Sequence, residues 1–270
     1  MNTERPEWND ANNALAGYGL SVVTLSYLRR YLAFLRSWWI QLDANVSVQF
    51  NDGTANLLHT LSTIFVPDAV VATEASTSAT RRARVALELG RAGECHRETV
   101  HGAGHTRTKI GWREVLGFLD GALVWIDAGL AANRRDDGLF HSYNIVEYPD
   151  DASTFEVKHL SQMLEGQVAA LSSGVVTPEM AVHLVEAMYA SRLFRADQNS
   201  FVLYPDRDLP DFAARGVIPA GNVPVLFKEM VARGDMRLVT CDERGVYRFR
   251  SSLANIEELA SVLESVAGDA

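Results

Sequence analysis

The sequence of 270 residues is poor in cysteine, in basic charge and in uninterrupted apolar runs. Its two cysteines, Cys95 and Cys241, lie far apart. So few exclude a disulfide scaffold and read as two free thiols in a reducing compartment. Lysine and arginine number 25 against 34 aspartates and glutamates, a net charge of −9. That balance argues against a nucleic-acid binder, which carries a basic excess or a basic stripe. The densest basic run, Arg81-Arg82-Ala83-Arg84, falls inside a helical pattern and reads as a solvated face. The most apolar stretch, residues 19–42, is broken by Arg29, Arg30 and Arg36. It falls short of the roughly 20 uninterrupted apolar residues that span a bilayer. Residues 1–6 contain no apolar run of the signal-peptide kind. The expectation is a cytoplasmic protein that engages neither membrane nor nucleic acid.

What is present is helical periodicity. Hydrophobic residues make up 47% and charged residues 22%, the balance of a globular chain. Between about 13 and 43, Leu25, Leu28, Leu32, Leu35, Trp39 and Leu42 recur at steps of three and four, one face of a helix. Tyr27, Tyr31, Phe34 and Trp38 are expected to widen that face, with the arginines opposite. Gly17 and Gly19 predict an irregular start. Further helices are predicted over 54–65, 78–99, 112–132, 154–171 and 177–193. The last of these has Thr177 as N-cap and Pro178 at the first helical position.

The stretch 197–224 holds Pro205, Pro210, Pro219 and Pro224 and is the candidate boundary. Beyond it a helix over 225–233, a β-hairpin over 236–250 and a last helix over 254–266 are predicted. The expected organisation is a helical domain at 1–196 followed by an irregular segment and a helix–hairpin–helix element at 197–270. The fold class is mainly α: an antiparallel helical array with a small C-terminal α+β hairpin element.

One segment carries chemistry in its wording. It reads Pro6-Glu7-Trp8-Asn9-Asp10-Ala11-Asn12-Asn13, then Gly17-Tyr18-Gly19-Leu20-Ser21-Val22, and leads into the apolar helix. It resembles the catalytic-acid segment of the cellobiose phosphorylase family, Gly-Asp-Trp-Asn-Asp-Gly-Met-Asn followed by glycines and Glu-Ser-Val. Trp8, Asn9, Asp10 and Asn13 match in register. Gly19, Ser21 and Val22 match after a shorter spacer. Pro6-Glu7, Ala11-Asn12 and Leu20 depart from the pattern, and no segment is similar to that family's C-terminal phosphate-binding loop. The rest of the chain, including Arg134 to Asn144 and Leu203 to Pro210, is similar to large uncharacterised bacterial relatives.

The resemblance implies an (α/α)6 six-hairpin barrel and an inverting glycoside phosphorylase or glycosidase. By it Asp10 is the general acid, protonating the leaving oxygen of a glycosidic bond. Trp8 is a platform for a sugar ring, and Asn9 and Asn13 bind sugar hydroxyls. The partners it implies are an oligosaccharide and, for phosphorolysis, inorganic phosphate. Hydrolysis needs a second carboxylate to activate water. Asp137 and Glu147 are the nearest loop carboxylates, and nothing selects either. A barrel of this type needs more helices than the seven or eight read here. The expectation is therefore an incomplete barrel, inactive by itself and prone to self-association through exposed inner faces.

Elsewhere, the loop at 137–144 combines Asp137, His141, Tyr143 and Asn144, planar hydrogen-bonding groups and an aromatic surface suited to a sugar-binding rim. Its competing reading is a plain connection with Phe140 buried. Cys95, His96, His101 and His105 are metal-ligand types, but their spacing matches no zinc pattern and a surface loop is preferred. No metal and no cofactor are expected. The alternative to an enzyme is a non-catalytic helical module that binds a glycan or a protein, with Asp10 merely capping a helix.

Overall fold

The computed structural model describes residues 15, 17–102, 106–147, 149, 153–206, 211 and 216–268. The chain divides into two compact units, 1–205 and 206–270. Helix dominates, with short antiparallel strand pairs, so the fold is mainly α with small β elements.

In the first unit three short strands each run directly into a helix. Strand β1 (Gly19–Ser21) enters α1 (Val22–Trp39), and β2 (Ser47–Asn51) enters α2 (Asp52–Ile64). Helices α3 (Ala69–Thr77) and α4 (Ala79–Gly102) follow, and β3 (Arg107–Gly111) then enters α5 (Trp112–Ala131). Side chains stop each strand and start each helix. Ser21 Oγ accepts from the Thr24 amide at 3.0 Å, and Asn51 Oδ1 accepts from the Thr54 amide at 2.7 Å. Glu114 Oε1 reaches back to accept from the Gly111 amide at 3.2 Å. Caps of this kind each contribute about 1 kcal/mol.

The chain continues through β4 (Tyr143–Glu147), β5 (Glu156–His159), α6 (Leu164–Ser173), α7 (Pro178–Ala190), β6 (Phe194–Arg195) and β7 (Ser200–Phe201). Strand β4 is the centre of an antiparallel sheet in the order β1-β4-β5. Leu20 lies opposite Asn144, and Asn144 lies opposite His159. Strands β2 and β3 pair with Ser47 opposite Gly111, and β6 pairs with β7.

Helix α1 organises the packing. Leu25, Leu28 and Leu32 meet the cluster Val22, Ile126 and Leu130, and Leu35, Trp39 and Leu42 meet Ala55, Ile110, Val115 and Leu119. The predicted apolar face is therefore the one that packs. Trp39 and Trp112 are bonded reciprocally, each indole N–H donating to the other's carbonyl at 3.0 and 2.9 Å. The aromatic residues, Arg29 and Arg36 reverse the expectation, while Arg30 is exposed as expected. Tyr27, Tyr31, Phe34 and Trp38 are half to two-thirds exposed. Arg29 instead turns inward, bonding Asp127 on α5 at 2.8 Å and the Ser173 carbonyl ending α6 at 3.1 Å, and Arg36 pairs with Asp120 on α5. Two acidic residues on the neighbouring helix explain the inversion, because a half-buried guanidinium is stable only beside a carboxylate.

Two predicted helix starts change, and unpredicted elements appear. The helix expected from 13 begins at Val22, because residues 19–21 pair as a strand. The helix expected from 154 begins at Leu164, because 156–159 pair with β4. The region before Trp112 contains β3, paired with β2. Helix α3 is additional. Its Asp68 cap accepts from the Val70 and Val71 amides, and Ala72 and Ala75 are buried.

In the second unit α8 (Val225–Ala232), the hairpin of β8 (Val239–Cys241) and β9 (Tyr247–Phe249), and α9 (Ile256–Gly268) surround a small core of Phe227, Met230, Leu238, Val239 and Val266. The hairpin lies where its sequence predicts it. Asp242 closes the turn, accepting from the Arg244 and Val246 amides.

Candidate functional site

Trp8, Asn9, Asp10 and Asn13 lie outside the described residues. The segment that follows them does not. Leu20, Ser21 and Val22 form part of the wall of a cleft of about 510 Å³. The β1–β4 pairing brings Asn144 to the same wall, and the β4–β5 pairing adds His159. Asn133, Arg82, Trp125 and Phe155 complete its polar and aromatic surface. No aspartate or glutamate is among the described residues lining it.

Asn144 is buried and bonded on both sides. Its amide donates to Asn133 Oδ1 at 2.7 Å, and its oxygen meets His159 Nδ1 at 2.8 Å. Asn133 in turn donates to the Gly129 carbonyl at 2.8 Å. Arg82 is held by two carbonyls, donating from Nε to Phe155 at 3.1 Å and from Nη1 to Ser76 at 2.9 Å. Its reading as a solvated charge is thus corrected: it is part of the cleft wall.

His141 stacks on His159 with the ring planes nearly parallel. Its Nδ1 is buried with no hydrogen-bond partner among the described residues. Burial, and then the neighbouring His159 and Arg135, hold its pKa down to about 4. Burial, Arg135 and Arg82 also lower that of His159. Both rings are therefore neutral at pH 7.

The remaining loop candidates have other surroundings. Tyr143 is buried in β4 opposite Ser21. Asp137 forms a two-pronged ion pair with Arg135 and accepts from the Leu139 amide. The Arg135 guanidinium keeps its carboxyl below the usual range. Glu147 pairs with Lys158 at 2.6 Å on the exposed edge of β4 and β5. Phe140 is buried, and its backbone is clamped by Gln167, which accepts from its amide and donates to its carbonyl. Ser142 Oγ accepts from the Gly166 amide at 2.8 Å. The loop thus fastens the start of α6 while its last residue reaches the cleft.

His159, Asn133 and Arg82 were not singled out as site residues by the sequence. The usable signal is the alternation in Phe155-Glu156-Val157-Lys158-His159, a strand pattern that puts His159 on the same face as Phe155 and Val157. Elsewhere, His96 Nδ1 lies 3.1 Å from the Gly53 carbonyl. Among the described residues no three His, Cys, Asp or Glu side chains group as metal donors. No single helix among them is long and apolar enough to cross a membrane.

Residues 209–270 match the family described as GH149 phosphorylase insertion domain 2. The match falls on the second compact unit, 206–270. It relates the chain to glycoside phosphorylases. No curated protein matches the chain.

Proposed function

We propose that the chain is part of an inverting glycoside phosphorylase or glycosidase, its helices a portion of an α/α barrel, and that the cleft beside Asn144 and His159 holds a sugar ring of an oligosaccharide. The observation that carries the reading is the β1–β4 pairing. It puts the residues just after the Trp8–Asn13 motif on one wall with planar hydrogen-bonding side chains and the aromatic Trp125 and Phe155. The phosphorylase relationship of residues 209–270 supports the same chemistry. In this reading Asp10 gives its proton to the leaving glycosidic oxygen. Phosphate attacks the anomeric carbon from the opposite face, with inversion, and water does so where a second carboxylate takes its proton. Trp8 stacks on the sugar, and Asn9 and Asn13 bind its hydroxyls. Asp137, His141 and Tyr143 hold the rim on which Asn144 stands.

The test is an assay of sugar or sugar-phosphate release from α- and β-linked disaccharides, with and without phosphate. It is run on the longest form of the protein that shows turnover. Asp10→Asn should lower turnover by at least about 10²-fold with the fold intact. Unchanged turnover removes Asp10 from the mechanism. One observation favours a second reading, a non-catalytic glycan-binding module: the described lining of the cleft has no carboxylate. Sugar binding without cleavage in every form of the protein would establish that reading instead.

A further inference from the structure

The polar lining of the cleft is a hydrogen-bond relay whose direction is set at one end. The Gly129 carbonyl has only lone pairs to offer. The Asn133 amide nitrogen therefore faces it, which turns the Asn133 oxygen toward Asn144. Asn144 must donate to that oxygen, so its own oxygen faces His159 Nδ1. Two acceptors share no hydrogen bond, so Nδ1 carries the proton. In a neutral imidazole the other nitrogen, Nε2, is then an acceptor. The two rings' stacking holds the imidazole plane in place.

Other polar groups of the cleft are turned back onto the protein. Ser76 and Thr77 donate to the Ala72 and Thr73 carbonyls, and the Trp125 indole donates to the Val66 carbonyl. Arg82 commits Nε and one N–H of Nη1 to carbonyls, which leaves its outer N–H groups. His159 and Arg82 both line the cleft, so the same wall offers an imidazole acceptor and a guanidinium donor. A ligand cation would meet Arg82 with no carboxylate to balance it. A ring diol suits both groups, because one hydroxyl donates while its neighbour's oxygen accepts.

We propose that His159 is a specificity-determining residue whose Nε2 accepts the hydroxyl proton of a polyhydroxylated ligand, while Arg82 donates to a neighbouring oxygen of that ligand. Asn133 and Asn144 are positioning residues that set the tautomer. The proposal rests on the carbohydrate reading above and adds to it the residue that discriminates.

The test uses the full chain. Long-range proton–nitrogen correlation of the histidine rings reports the tautomer without any ligand. His159 should show a protonated Nδ1 and a bare Nε2, and Asn133→Leu should convert it to a mixture. Binding of glucose, mannose and cellobiose is then titrated against the wild type and His159→Phe, which keeps a planar ring on His141 but has no acceptor. Loss of one such hydrogen bond should weaken binding about 10-fold. Singly deoxygenated glucoses on the wild type probe the same bond should that variant fail to fold, and at least one should lose about 10-fold. A proton on Nε2 overturns the inference and leaves sugar binding standing. Equal binding by the wild type and His159→Phe, or by every deoxy sugar, overturns it as well. No sugar binding by the wild type removes the carbohydrate reading and the inference together.

Discussion

The imidazole rings of His141 and His159 lie with centroids 3.9 Å apart and planes inclined by 8°. Neither ring gains a proton cheaply, since burial disfavours the charge on each and Arg135 repels it. Asp137, whose charge favours a proton on His141, is already committed to Arg135.

Stability should therefore fall in mild acid. A histidine whose folded pKa is below its unfolded value binds protons more readily when unfolded, so acid favours unfolding. For His141 the contribution is complete above about 6.5 and is lost as the pH falls toward about 4. A fall of that size corresponds to roughly 3 kcal/mol at most, less after screening of a partly exposed ring. Urea unfolding at pH 7.5 and pH 4.5 measures it. His141→Phe should shrink the difference between the two pH values, and a variant with the same difference as the wild type would refute this account.

Two glycines of α5 should respond oppositely to alanine. A Cβ on Gly121 would sit 1.8 Å from the Phe65 carbonyl oxygen, which no rotamer relieves, whereas a Cβ on Gly117 meets nothing within 4 Å. Gly121→Ala forces α5 away from the end of α2 and should cost about 2 kcal/mol or more. Gly117→Ala should be neutral or stabilising by up to about 1 kcal/mol. Thermal unfolding of the two variants side by side decides the matter.

Tyr27, Tyr31, Phe34 and Trp38 follow one another at steps of four, three and four along the exposed side of α1. Their removal should leave stability within about 0.5 kcal/mol, since little packing is lost. Association between molecules should weaken in Tyr31→Ser/Phe34→Ser, because a contiguous aromatic seam is a self-adhesive surface. Sedimentation velocity across a concentration series checks this, and unchanged association would assign it to another face.

The core-facing side of α1 was legible because six apolar positions repeat over about five turns' worth of sequence, a long signal. Which flank of that side is exposed was not, because it depends on Asp120 and Asp127 of another helix. Helix α3 escaped notice because Ala69–Thr77 is short and mixes small apolar and polar residues without a clear face. The cleft was least legible. Asn144 stood out within a polar loop, but Asn133 and His159 are single residues joined to it only by strand register and a helix end. The hairpin at 239–249 needed no distant partner, and a turn with Gly245 at φ +77° between two short strands was enough to reveal it.

The pairing of Gly19 with Ile145 also has a consequence in time. During synthesis β1 emerges more than 100 residues before β4, its one partner strand among the described residues. At about 5–20 residues per second it waits roughly 6–25 s with its backbone amides unmatched. Leu20 and Val22 wait with it, as does the start of α1. A nascent chain in that interval presents an open strand edge beside an apolar helix face, which is the kind of surface that holdase chaperones retain. Synonymous codons that slow translation between 60 and 140 would lengthen the interval without altering the finished fold.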